Sequence, residues 1–176
     1  MLTGENLPPF GFVSASRAGE SDSLLCDFVD RLLSRGVRVC GCVQRNPLRP
    51  GADRCDMIVT AHPSRNEFKI SQDRGREAKG CRLDAGTLEL VVADVEASLA
   101  LGADILVINK FGKHEADGRG FCHVIGHALA LGTPVLIAVG QINRQAFLAF
   151  ADGCAKEIAA DVHTLMDWAE RSVPAL

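Results

Sequence analysis

No tyrosine occurs in this 176-residue chain and tryptophan occurs once, yet apolar residues make up 47% of it and charged residues 23%. Those proportions belong to a compact α/β protein and exclude a disordered or fibrous one. A chain of this length removes roughly 70% of its unfolded surface from water, so one core holds it without staples. Residues 1–176 are therefore read as a single domain. No apolar run approaches the roughly 20 residues of a membrane span, and the first ten residues lack a basic segment followed by an apolar one. The expectation is a cytoplasmic protein with no membrane span. A basic excess is missing as well: the net charge is -3, which argues against nucleic acid or an anionic membrane as partner. The one basic stretch, 35–54, reads as a solvated loop. Internal repeats, linkers and low-complexity tracts are absent.

Metal-binding spacings are also missing. Seven cysteines stand at 26, 40, 42, 55, 81, 122 and 154, an odd number spread through apolar runs, which in a reducing compartment predicts buried thiols rather than a disulfide framework. Alternation puts Cys40 and Cys42 on one face of a strand, and neither spacing is C-x-x-C. His123 and His127 lie one helical turn apart without the glutamate of H-E-x-x-H. No metal site is expected.

What is present is a succession of strands and helices. Residues 10–15 read as a strand, followed by a small-residue loop and a helix with Leu24, Leu25, Phe28, Val29, Leu32 and Leu33 on one face, capped by Ser21 or Asp22 and stopped by Gly36. A strand at 37–43 completes a βαβ unit, and 57–61 with 67–71 reads as a hairpin. A helix capped by Asp84 runs to Leu101, and 104–109 is an uninterrupted apolar strand of the buried parallel type. A polar loop at 110–120 leads into a helix to about Leu131 and a strand at 134–139. Residues 143–151 and 161–171 read as helices, with 153–160 either a short edge strand or more helix. In an open parallel sheet ligands sit beyond the carboxyl ends of the strands, so the loops after Ala15, Val43, Asn109 and Val139 should share one edge.

Three segments at that edge carry chemistry. The window 14–21 aligns with the phosphate-cradling loop G-x-x-x-x-G-K-S/T: Gly19 and Ser21 fit, Ser14 replaces the first glycine, and Glu20 stands at the lysine position, where a carboxylate repels phosphate. The helix amides around Ser16 and Arg17 are still able to hold an anion. The plain alternative is an ordinary βα turn. In the second segment, 105–115, Asn109 and Lys110 occupy the places where a Walker-B strand carries its magnesium-binding aspartate and an acidic neighbour. Gly112 likewise breaks the Asn-Lys-x-Asp pattern of a guanine reader, so a GTPase is not expected. Lys110, Lys113, His114, Glu115 and Arg119 nevertheless crowd this loop, which reads either as a binding site or as a solvated turn, with Lys110 and Glu115 the candidates for catalysis. In the third, 70–84, Arg82 offers a bidentate fork to an anion, and Asp84 is a helix cap.

The combination Gly-Cys-Arg-Leu-Asp at 80–84, Asn-Lys-Phe-Gly-Lys-His-Glu at 109–115 and Gly-Arg-Gly at 118–120 resembles an uncharacterised bacterial family of small proteins often encoded beside molybdate-transport and molybdenum-enzyme genes. The resemblance runs from Gly11 to Trp168. That family in turn is similar to the small nucleoside-triphosphatases of thermophiles and humans, in which a P-loop opens the chain and an Asp-Glu-x-Gly-Lys-x-Glu segment follows the Walker-B strand. Gly112, Lys113 and Glu115 match the second half of that segment, whereas Asn109 and Lys110 depart at its first two positions. The resemblance implies a P-loop-NTPase-like α/β fold: three layers, a mostly parallel sheet flanked by helices, with an antiparallel edge hairpin.

The expected function is that of an accessory binding protein with a degenerate P-loop, holding a small anion or nucleotide-like ligand, with a link to molybdate handling that the resemblance implies. Its ligand-binding residues are expected among Ser16, Arg17, Gly19, Ser21, Arg82, Asn109, Lys110, Lys113 and Arg119. A nucleotide or an oxyanion is the only cofactor considered. The alternatives are a weak nucleoside-triphosphatase or phosphotransferase using Lys110 or Lys113, and a scaffold that binds another protein. Self-association stays open.

Overall fold

Alternation along the strands assigns each buried side chain to one of two cores. A computed structural model describes residues 9–14, 17, 19–48, 50–51, 54–72 and 82–176. In chain order the elements are β1 (Phe10–Ser14), α1 (Glu20–Ser34), β2 (Val39–Arg45), β3 (Ile58–His62), β4 (Glu67–Lys69), α2 (Ala85–Ala100), β5 (Ile105–Phe111), α3 (Lys113–Ala116), α4 (Cys122–Ala130), β6 (Val135–Val139), α5 (Arg144–Ala151), β7 (Lys156–Glu157) and α6 (Val162–Ser172). The strands form one sheet in the order β4-β3-β2-β5-β6-β1-β7. β2, β5, β6, β1 and β7 pair in parallel, and β3 and β4 add antiparallel at one edge. Phe10, Phe12, Cys40, Cys42, Leu106 and Ile108 face the core shared with α2, α4 and α5. Val13, Val39, Val43, Ile105 and Val107 face the opposite core under α1 and α6. The result is the expected three-layer α/β architecture with its antiparallel edge hairpin. No helix among the described residues is long and apolar enough to cross a membrane.

Local signals place the ends of most elements. The Asp84 carboxylate accepts the Thr87 N–H at 3.0 Å and starts α2 where its capping chemistry predicts. α1 starts earlier than expected: Gly19, at φ 78°, is its cap, and Ser21 and Asp22 lie inside the first turn. β2 runs on to Arg45 because antiparallel pairing with β3 extends it, Arg45 opposing Ile58. The 153–160 stretch contains the two-residue edge strand β7, paired with Gly11 and Phe12. The 110–120 stretch is not a plain loop, since β5 continues to Phe111 and α3 follows at once. Gly41, at φ 127°, lets β2 lie close against β5: a Cβ there would collide with the Val107 carbonyl.

Candidate functional site

β5 lies between β2 and β6, so its carboxyl end opens onto the middle of the sheet. The β5–β6 register shifts between Ile108 and Phe111, a bulge that turns Asn109 and Lys110 out of the regular ladder. Beside it lies a cleft of about 390 Å³. Cys42 and Gln44 of β2, with Met57 and Val59 at β3, supply one side, and Ile70, Leu83 and Leu88 supply another. Asn109, Lys110, Gly112, Lys113, His114 and Glu115 close it from the β5 end, with Phe121 and Asn143. Most of this lining is apolar, and positive charge comes from Arg82, Lys110 and Lys113.

Each of those charges is placed differently. Arg82 donates from Nε to the Gln72 carbonyl at 3.3 Å and from Nη1 to the Cys55 carbonyl at 3.1 Å, so its guanidinium plane is held by two backbone bonds. Lys110 and Lys113 are exposed and have no ion-pair partner among the described residues. Glu115 is 4% exposed, and its two oxygens accept the Gly112 N–H at 2.9 Å and the Phe121 N–H at 3.0 Å. That carboxylate closes the 112–121 loop on itself. Asn109 is 3% exposed, and neither amide atom has a hydrogen-bond partner among the described residues.

The β1–α1 turn sits on the same strand-end edge, but none of its described residues lines the cleft. There the Arg17 N–H donates to the Glu20 carboxylate at 3.2 Å, so the acidic side chain takes a turn amide for itself. Ser14 Oγ accepts from Arg144 Nη1 at 2.6 Å, and Arg144 also makes a two-pronged bond to Glu157 at 2.9 and 2.7 Å. The Arg144 bond holds the Glu157 carboxyl below the usual carboxylate range. A hydrogen-bond path joins the first turn of α1 to the cleft: Gln44 Nε2 donates to Asn46 Oδ1 at 2.7 Å, and Asn46 Nδ2 donates to the buried Asp22 carboxylate at 2.5 Å.

Of the residues singled out from the sequence, Arg82, Asn109, Lys110, Lys113 and Glu115 meet in the cleft. Arg17 and Gly19 belong to the β1–α1 turn and Ser21 to the first turn of α1, and Ser16 falls outside the described residues, as do Gly80 and Cys81. Arg119 pairs with Asp117 at 3.4 Å and stays out of the cleft. Gln44, Met57 and Asn143 were missed, since no motif marks them and only the assembled sheet brings them to the cleft. The thiols divide more widely than expected. Cys40 and Cys42 are buried, Cys26 and Cys122 half-buried, but Cys55 and Cys154, in the connections before β3 and before β7, are exposed. Burial pushes the Cys42 thiol up to about 12 and the Cys40 thiol up to about 11. Among the described residues no group of three or more His, Cys, Asp or Glu is placed to hold a metal ion.

Comparison with known proteins gives three findings. A family model described as "Protein of unknown function (DUF2478)" matches residues 12–168. A protein of Bradyrhizobium diazoefficiens, "Molybdenum import ATP-binding protein ModC 2", is 34% identical over 147 residues, which are 84% of this chain and 16% of that protein. The chain thus spans under a fifth of that relative's length. Among solved structures, a human cancer-related nucleoside triphosphatase superposes with a TM-score of 0.61 at 18% identity, covering 93% of this chain and 96% of that one, a likeness of fold.

Proposed function

The chain belongs to the DUF2478 family of proteins of unknown function, and from that membership we propose that it is a single-domain binding protein that holds a small anion or nucleotide-like ligand in the strand-end cleft and hydrolyses it weakly or not at all. The observation that carries this reading is the convergence of Arg82, Lys110 and Lys113 on one cleft, both lysines without an ion-pair partner among the described residues. Cations brought together beside low-dielectric walls attract an anion more strongly than they would in water. Likeness to a nucleoside triphosphatase fold and to part of an ATP-binding protein supports a nucleotide as one ligand class. Likeness to part of a molybdenum import ATP-binding protein of Bradyrhizobium puts molybdate beside it as a second class.

Three features speak for poor hydrolysis. Glu20 stands where a phosphate loop places its lysine, and its carboxylate occupies the Arg17 amide. Asn109 stands at the place of the magnesium-binding aspartate and Lys110 at that of its acidic neighbour. Glu115 spends both oxygens on backbone amides, which makes it a positioning group for the loop rather than a base. Calorimetry and thermal shift with ATP, GTP, molybdate, tungstate and phosphate test the reading. At least one should bind, and the triple variant Arg82→Ala, Lys110→Ala, Lys113→Ala should lose that binding. Silence from all five rejects it.

A second reading, weak phosphotransfer, draws on the same exposed Lys110 and Lys113 as stand-ins for the missing lysine. Magnesium-dependent phosphate release that disappears in Lys110→Ala would decide for it.

A further inference from the structure

Resting on the cleft reading above, we infer that the ligand is an organic anion built on a flat nitrogen heterocycle, not an inorganic oxyanion. Size is the first argument. A tetrahedral oxyanion takes up on the order of two waters, about 60 Å³ at ~30 Å³ each. The cleft measures about 390 Å³, within the range that small organic ligands fill. An oxyanion at the cations would leave most of it to water.

The lining is the second argument. Met57, Val59, Leu83, Leu88 and Phe121 present apolar surface from four separate parts of the chain. An oxyanion gains nothing from such surface, and desolvating it there is costly. A ring laid against it gains in proportion to the apolar area it covers, and ~100 Å² of cover is worth about fifty-fold in affinity. Met57 and Leu83 are only half-buried, so they have surface left to give.

Gln44 narrows the class further. Its side chain lines the cleft and is 5% exposed, and its Nε2 is already donated to Asn46. The amide is therefore oriented, and it has its Oε1 acceptor and the second Nε2 hydrogen left to offer. An acceptor beside a donor favours a ring whose edge carries an N–H next to a carbonyl or a ring nitrogen. The anionic substituent, phosphate or carboxylate, falls to Arg82, Lys110 and Lys113.

The test is a calorimetric series on the full chain with inorganic phosphate, molybdate, ribose 5-phosphate, AMP, GMP and orotate. At least one of the three heterocyclic anions is expected to bind about tenfold or more tighter than ribose 5-phosphate and both inorganic anions. AMP and GMP against orotate separates a nucleotide from a free heterocyclic carboxylate. Two variants, Met57→Gln and Leu83→Asn, are made separately, so that a folding defect in one leaves the other to report. Each should weaken the heterocycle about fivefold while leaving ribose 5-phosphate unchanged. Phosphate or molybdate binding as tightly as any heterocycle, indifferent to both variants, overturns this inference and leaves the anion-binding cleft standing. No binding by any of the six, with ATP, GTP and tungstate silent as well, removes both.

Discussion

Glu115 is a buried carboxylate bonded by two backbone amides, and the geometry around it leaves no slack. Gly120 sits at φ 57°, and a Cβ there would run into Glu115 Oε1. Gly120→Ala should therefore cost about 2 kcal/mol, through a strained backbone and a displaced acceptor that leaves the Phe121 and Gly112 donors short. Urea unfolding measures it, and a variant as stable as the parent would contradict the clamp assigned to Glu115. Thiol chemistry gives a second residue-scale expectation. With burial holding Cys40 at about 11 and Cys42 at about 12, both stay protonated at about pH 8. Exposed Cys55 and Cys154 should take up iodoacetamide within minutes, while Cys40 and Cys42 react only after unfolding, a difference that mass spectrometry of timed samples reads directly.

At the scale of elements, the beginnings of β2 and β5 are tied together by one side chain. Asp104 accepts the Arg38 backbone N–H at 2.8 Å and its guanidinium Nη2 at 2.7 Å, while the Arg38 carbonyl accepts the Asp104 N–H at 2.9 Å. The Arg38 bonds hold the Asp104 carboxyl below its ordinary value. A carboxyl whose folded pKa is depressed stabilises the fold above its unfolded pKa of about 3.9, and that contribution is lost as the pH falls through the lower folded value. Arg38 is largely exposed, so solvent screening reduces the effect. Asp104→Asn should cost about 0.5–1 kcal/mol at neutral pH and nothing at a pH below both values. Urea midpoints of parent and variant should therefore converge in acid. Much of this level was legible in sequence: Asp84 as the α2 cap, the continuous apolar run of β5 and the parity of Cys40 and Cys42 are all local patterns that the structure repeats. The start of α1 was not, because a glycine in the left-handed region serves as cap and frees Asp22 for another task.

That task belongs to the whole molecule. Asp22, 4% exposed, reaches across to Asn46, and through it to Gln44 in the cleft, so the first turn of α1 and the ligand site share one polar path. Asn46→Ala removes the donor to a buried carboxylate and frees the Gln44 amide together. The expected cost is about 1–3 kcal/mol, since a buried acceptor loses its hydrogen bond. A loss of ligand affinity should accompany it, because the Gln44 amide loses the bond that orients it. Parallel measurement of unfolding midpoints and of affinity for the tightest ligand separates the two effects, and unchanged affinity would detach the turn from the site.

By itself the sequence determined what depends on near neighbours: the alternation of strand and helix, the α/β class, the parity that sends Cys42 to one core and Val43 to the other, and the polar character of the segment after β5. Tertiary structure alone decided the cleft. Its lining comes from positions as far apart as Cys42, Met57, Leu88, Phe121 and Asn143, and no periodicity encodes which strands lie side by side. It also decided that Glu115 binds its own loop and that Arg119 pairs outside the cleft. The physical reason is one of range: side-chain spacing fixes which face an element buries, whereas a concave site depends on the packing of elements that are distant along the chain.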